Sequence, residues 1–148
     1  MLKHELSFWY KPKCLNNLNK DVNLMMNVVN KTISKELNIR NDLFFDVVIV
    51  DNKQIRKINS KFRHIDRITD IITFALRDTH KSIKVNLLGE IYLAPDYIYS
   101  NVKDNFKNEF ILTYIHGVLH LLSFDHNSKQ QRNVMFKLQK IILSKVKF

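Results

Sequence analysis

The sequence predicts an α+β fold, with one domain over residues 1–148 built as a small mixed sheet of about four strands covered by helices. Three observations carry this. Short segments alternate apolar and polar residues, or run as β-branched and aromatic blocks, as strands do. Longer segments repeat their apolar residues at helical spacing. Their order, βαβαββααα, mixes crossover helices with two strands in direct succession and then a run of helices. The 148 residues are 45% hydrophobic and 26% charged, an ordinary globular balance, and no repeat, low-complexity tract or Pro/Gly/Ser linker divides them.

Leu2 to Tyr10 alternates, with Leu2, Leu6 and Phe8 and more weakly His4 on one side, and reads as a strand. Asn16 and Asn17 can cap a helix running to about Leu37, whose buried stripe is Leu18, Val22, Met25, Met26, Val29, Ile33 and Leu37. Leu43 to Val50 is β-branched and aromatic, hence a strand. Asn52 to Phe62 is a short helix through Ile55, Ile58 and Phe62. Asp70 to Leu76 and Val85 to Ala94 are two further strands, and three helices follow over Asp96 to Phe106, Glu109 to Leu122 and Ser128 to Val146.

Several function classes drop out on composition. No stretch approaches the roughly 18 apolar residues of a membrane span. The start, MLKHELSFWYKPK, has no apolar run to serve as a signal peptide, so a cytoplasmic protein is expected. The only cysteine, Cys14, has no intrachain partner, which excludes a disulfide framework and a four-thiolate zinc site. The net charge of +10 points to a polyanionic partner, a nucleic-acid backbone first among them. The 18 Lys against 6 Arg also fit the drift of an AT-rich coding sequence, so charge alone leaves both readings open. Only two glycines survive, Gly89 and Gly117, which suggests positions where a Cβ does not fit.

Chemistry concentrates in HGVLHLLSFDH, which holds His116, His120 and His126. Helical residues four apart stand on one face, so His116 and His120 can offer two imidazoles to one ion. His126 follows just beyond the expected helix end, where a turn can bring it back. Three neutral imidazoles with one open position make a catalytic zinc site, whereas structural sites are closed by four ligands. The same helix is apolar nearly all round, and Glu109, Thr113, His116 and His120 share its narrow polar stripe. Buried polar groups need partners. Glu109 can support the ligands or simply favour the helix start, Asp125 can orient an imidazole or turn the chain, and Gly117 can leave room near the ion. The histidine spacing matches the HExxHxxGxxH zinc proteases, but the position of their general base is Gly117 here, which disfavours that mechanism.

HGVLHLLSFDH is similar to the HGxLHLxGYDH signature of the YbeY family of single-domain bacterial endoribonucleases involved in ribosomal RNA maturation. INSKFRHIDRITDIITF, from Ile58 to Phe74, resembles the family's LNxxYRxxDxPTDVLSF, and LLGEIYLA resembles its LGDIxI strand around Gly89. The three blocks keep the family order. The resemblance implies a zincin-like α+β fold, one zinc ion held by His116, His120 and His126, and an Arg63 that lies near the metal cleft and matters for activity. It implies RNA as substrate, notably the 3′ end of small-subunit rRNA, with the ribosomal small subunit or its assembly factors as partners. Departures from the pattern are Ser123 for Gly, Phe124 and Phe62 for Tyr, Ile68 for Pro and Thr73 for Ser. If Ser123 must be left-handed it costs about 1 kcal/mol and loosens His126.

On this reading Arg63 grips a phosphate or offsets charge developing at phosphorus, and His116 and Arg63 are the catalytic pair. Asp66, Thr69 and Asp70 read more naturally as caps and turns. In the last helix Lys129, Arg132, Lys137, Lys140 and Lys147 share about 140° of arc, opposite Val134, Leu138, Ile141 and Ile142. The first four, with Arg63, are candidate RNA contacts, although a solvated outer face looks the same. Two rivals remain: another zinc hydrolase, such as a peptidase or amidase, and a non-catalytic ribosome-assembly protein whose structural zinc takes Asp125 as fourth ligand.

Overall fold

In the computed structural model, which describes residues 1–76 and 86–148, strands and helices follow the expected order. They are β1 (Leu2–Phe8), α1 (Val22–Glu36), β2 (Leu43–Ile49), α2 (Asn52–Arg63), β3 (Ile71–Ala75), β4 (Leu87–Leu93), α3 (Pro95–Val102), α4 (Phe106–Leu121) and α5 (Lys129–Lys145). Short 3₁₀ turns occupy Lys13–Leu18 and Lys103–Asn105. The strand expected over Val85 to Ala94 begins at a residue outside the described ones.

The sheet order is β1-β2-β4-β3. β1, β2 and β4 are parallel, and β3 runs antiparallel to β4 as the outer strand. Parallel neighbours need crossover connections, which α1 supplies between β1 and β2. Phe45, Val47, Ile49, Ile91 and Leu93 face the large core formed with α1 and α4. Val48 and Ile72 point to the other face, where Ile55 of α2 closes a smaller cluster with Val50 and Ala94. α4 is the central element, touching β3, β4, α1, α3 and α5. Its buried Tyr114 donates to Asn30 Oδ1 of α1 at 2.8 Å, and Asn30 in turn bonds His4 Nδ1 of β1 at 2.9 Å. This chain satisfies buried polar groups while fixing the helix that carries two of the histidines.

Three sequence expectations are corrected. α1 is capped by Asp21, whose Oδ1 accepts from the Leu24 N–H at 3.1 Å, and Asn16 and Asn17 lie in the preceding 3₁₀ turn. That turn cannot run on into α1 because Asn19 takes a left-handed φ of 58°. The helix expected from Asp96 to Phe106 stops at Val102, and α4 starts at Phe106, so that Phe106 and Phe110 both enter the core. On α5 the buried face is Met135, Gln139 and Ile142, while Val134 is 53% exposed. The helix is rotated from the purely apolar solution because a polar residue, Gln139, faces inward. The caps on α2 and α5 are complete capping boxes, Asp51 with Gln54 and Ser128 with Gln131.

Candidate metal centre

α4 places His116 and His120 one turn apart, with ring centroids 4.5 Å from each other and their Nε2 atoms 3.0 Å apart. Beyond Leu121 the chain reverses in a Schellman turn: the Ser123 N–H donates to the His120 carbonyl at 3.1 Å and the Phe124 N–H to the Leu119 carbonyl at 3.0 Å. Ser123 holds the left-handed position at φ 85°, where glycine is preferred. Phe124 packs back against the core, and the turn returns His126 to 5.6 Å from the His116 ring and 4.9 Å from that of His120. One ring nitrogen from each histidine lies within 4.8 Å of the others. Ser123→Gly is accordingly expected to raise unfolding free energy by about 1 kcal/mol, measured by urea titration, and to tighten metal retention through a stiffer His126.

His116 has its tautomer set by its neighbour. The side-chain carbonyl of Gln139, buried on α5, lies 2.6 Å from His116 Nδ1 and can only accept, so Nδ1 carries the proton and Nε2 keeps its lone pair. That lone pair faces His120 Nε2 at 3.0 Å. Burial, followed by the charges of His116 and His126, pushes the His120 pKa down to about 4; the Asp125 carboxylate and the Phe124 backbone oppose this weakly. Neutral, converging imidazoles are the state a metal requires. Bonds of about 2.0–2.1 Å to one tetrahedral ion would set nitrogens a little over 3 Å apart, close to what the two Nε2 atoms already show. The donor set therefore fits a divalent cation of the zinc type, with Gln139 as the outer partner that aims one ligand. Among the described residues no carboxylate or thiolate joins the three histidines.

The histidines wall a cleft of about 400 Å³ that Arg63, Asp70 and Thr73 complete. Arg63 ends α2, and its Nη2 donates to the Thr73 carbonyl of β3 at 3.4 Å, which lays the guanidinium along the cleft. The chain leaves α2 through His64, left-handed at φ 59°, and the buried Asn59 amide clamps the Arg67 carbonyl at 3.0 Å. These contacts fix the loop that leads to Asp70. Asp66 faces elsewhere, paired with Arg56 at 2.8 Å.

The structure also bears on the alternatives left open around the three histidines. Asp125 turns the chain, its two oxygens accepting from the His126 N–H and the Asn127 amide, each at 2.8 Å, and it also lines the cleft. Glu109 sits in the first turn of α4, where its charge suits the helix N-terminus, and does not line the cleft. Gly117 lies against Ile71, Ile91 and Thr73 of the sheet, so its missing side chain lets α4 approach the strands rather than making space for an ion. Cys14 is buried with its thiol on Asp96, and burial pushes its pKa up to about 12. Lys129, Arg132, Lys137 and Lys140 are exposed on α5 and do not line the cleft. Sequence reasoning missed Gln139. The available signal was a polar residue four after Met135 and three before Ile142, on the face that must be buried.

Comparison with known proteins agrees with this geometry. A sequence model of the endoribonuclease YbeY family matches residues 13–147. The endoribonuclease YbeY of Ureaplasma urealyticum is 38% identical over 117 residues, 77% of this chain and 74% of that one. Those of Malacoplasma penetrans and Staphylococcus carnosus are 35% and 33% identical, over 84% and 74% of this chain and 83% and 76% of theirs. The solution structure of TM1509 from Thermotoga maritima superposes with a TM-score of 0.61 at 29% identity, covering 99% of this chain and 89% of that one. With a mixed sheet of matching fold, three converging imidazoles on and after its central helix, and relatives alike over most of their length, this chain belongs to the endoribonuclease YbeY family.

Proposed function

We propose that this protein is a zinc-dependent endoribonuclease that matures ribosomal RNA, acting on the 3′ end of small-subunit rRNA in the cytoplasm, with the small subunit or its assembly factors as partners. The observation that supports it most is the open three-histidine donor set, beside which an arginine is already held against the cleft wall. Zinc bound there supplies Lewis acidity toward a phosphodiester. His116, His120 and His126 hold it, and Gln139 keeps His116 in the ligating tautomer. Arg63 presents a fixed guanidinium fork to the phosphate and offsets charge that develops at phosphorus. Asp70 is the cleft carboxylate whose oxygens are not both committed to the turn that carries His126, and we assign it the proton-accepting role. Lys129, Arg132, Lys137 and Lys140 extend the anion-binding surface, since their stripe starts three residues after His126.

The test is cleavage of a precursor small-subunit rRNA by protein restored with zinc. Arg63→Ala and Asp70→Asn should each retain stoichiometric zinc while lowering kcat by about 10²-fold or more, the size typical of removing one transition-state or proton-transfer contact. Zinc-loaded wild type that cosediments with ribosomal subunits but leaves RNA intact would replace the enzyme reading with a binding role.

A further inference from the structure

α2 divides its residues sharply. Ile55 and Asn59 are buried and Ile58 packs with them, while Lys53, Arg56, Lys57, Ser60 and Lys61 line an outer groove of about 480 Å³. At 100° per residue these outward residues and Arg63 fall within about 160° of arc, with Lys61 at one edge and Arg63 at the other, and the helix ends on that arginine at the metal cleft. Of these cations, a carboxylate among the described residues answers Arg56 alone, Asp66 at 2.8 Å. Among the described residues Lys53, Lys57, Lys61 and Arg63 have no ion-pair partner.

Helix stability does not explain this row. Lys53, Lys57 and Lys61 are spaced four apart, where like charges oppose one another. At the two ends the dipole is answered, by the Asp51 N-cap carboxylate beside Lys53 and by Lys61 and Arg63 in the last turn, so the unfavourable part is the mutual repulsion along the row. A bound polyanion would relieve that repulsion. Aromatic rings supply a second indication. Phe62 is 57% exposed with the Lys61 ammonium 5.2 Å above its ring. It meets Phe74 edge-on at 5.4 Å, Phe74 meets Tyr92 at 5.9 Å, and Tyr92 meets Trp9, 54% exposed, at 5.6 Å. Phe74 and Tyr92 are partly buried against the smaller core, so the accessible element is Phe62 with its cation, the pairing that single-stranded nucleic acid uses, phosphate on the cation and base on the ring.

We propose that the outer face of α2 is the track along which single-stranded RNA reaches the metal cleft: Lys53, Lys57 and Lys61 take successive phosphates, Phe62, exposed where the apolar side of α2 reaches its last turn, stacks a base, and Arg63 receives a phosphate at the cleft. The proposal rests on the endoribonuclease reading above and adds the surface that feeds it. The test is fluorescence anisotropy of a fluorescein-labelled oligouridylate over a series of KCl concentrations, with zinc-loaded wild type, a triple Lys53→Ala, Lys57→Ala, Lys61→Ala variant, and Phe62→Ala. Each phosphate contact contributes about 0.7 to the slope of log affinity against log salt for a single strand, so the triple variant should lose about 2 of that slope. Its zinc content should be unchanged, and its melting temperature should equal or exceed wild type because repulsion along α2 is relieved. Phe62→Ala should weaken binding about tenfold at an unchanged slope. A triple variant that keeps the wild-type slope overturns the track and leaves the enzyme reading standing. A wild type that neither binds nor cleaves RNA overturns both.

Discussion

His120→Ala should strip the protein of stoichiometric metal and reduce RNA cleavage by at least about 10³-fold, more than any other single change in the cleft. Its Nε2 lies 3.0 Å from that of His116, and its ring is closer to that of His126 than the His116 ring is, 4.9 Å against 5.6 Å. Removing it leaves two imidazoles facing across the widest gap, which is too few and too loose to hold a divalent ion. The fold should survive. His120 is half-buried in the last turn of α4, alanine is the better helix former, and the variant sheds a desolvated ring that burial holds neutral. Metal content by mass spectrometry beside thermal melting of metal-free protein checks this. Loss of metal with the melting temperature of metal-free protein held within a few degrees is the expected pair of results. Equal metal in variant and wild type would move the ion away from these histidines. Gln139→Leu offers a graded companion: with the ligands intact but His116 unaimed, zinc affinity should fall by about 10–100-fold rather than vanish.

How much of this was legible beforehand depends on how local each signal is. His116 and His120 are fixed by the four-residue period of a helix, and His126 by a turn a few residues later, so one short segment discloses all three. The left-handed position of Ser123 follows from the same segment once the helix end is placed. Arg63 is different. Nothing within α2 says that its last residue lies beside His116; the resemblance of two blocks to one family brings them together, and β3 does so in space by accepting the Arg63 hydrogen bond at the Thr73 carbonyl. Gln139 was illegible because its role needs α5 docked on α4 in one rotation, a tertiary fact. Looking for an apolar face on α5 chose Val134, while the helix instead turns a buried amide inward to meet an imidazole. The cap of α1 was misplaced for a lesser reason: Asn and Asp both cap, and Asn19 in the left-handed region decides between them. The basic row on α2 is masked in the sequence by the interleaved Ile55, Ile58 and Asn59, whereas the tail after Asp125 carries six cations and no acidic residue, although it is α2 that ends at the cleft.

Gly89→Ala should be the most damaging substitution in the sheet, lowering unfolding free energy by about 3 kcal/mol or more, whereas Gly117→Ala should be close to neutral. Both glycines read alike in the sequence, as places where a Cβ does not fit, yet the obstacles differ in kind. Gly89 holds φ 142°, where an L-residue is strained, and a Cβ there would lie 2.0 Å from the Phe74 carbonyl oxygen. That oxygen belongs to the backbone of β3, paired with β4 through Ala75 and Gly89, so it cannot rotate away. Strain in φ costs about 1–2 kcal/mol, and forcing two strands apart adds a comparable amount. Gly89 also sits where β2 and β4 shift register between Phe44 and Phe45, so the disturbance reaches both neighbours of β4. At Gly117 the Cβ would meet the Cδ1 of Ile71 at 2.4 Å, the tip of a flexible side chain that can change rotamer. The helical preference of alanine over glycine, about 1 kcal/mol, offsets that adjustment. Urea unfolding of both variants, with the midpoint and slope recorded, separates them. Because β3 carries the Thr73 carbonyl that holds Arg63 and leads in from Asp70, the Gly89 variant should also lose cleavage beyond what its unfolded fraction explains. A Gly89→Ala protein as stable as wild type would mean that β3 and β4 do not approach each other as closely as these strands do here.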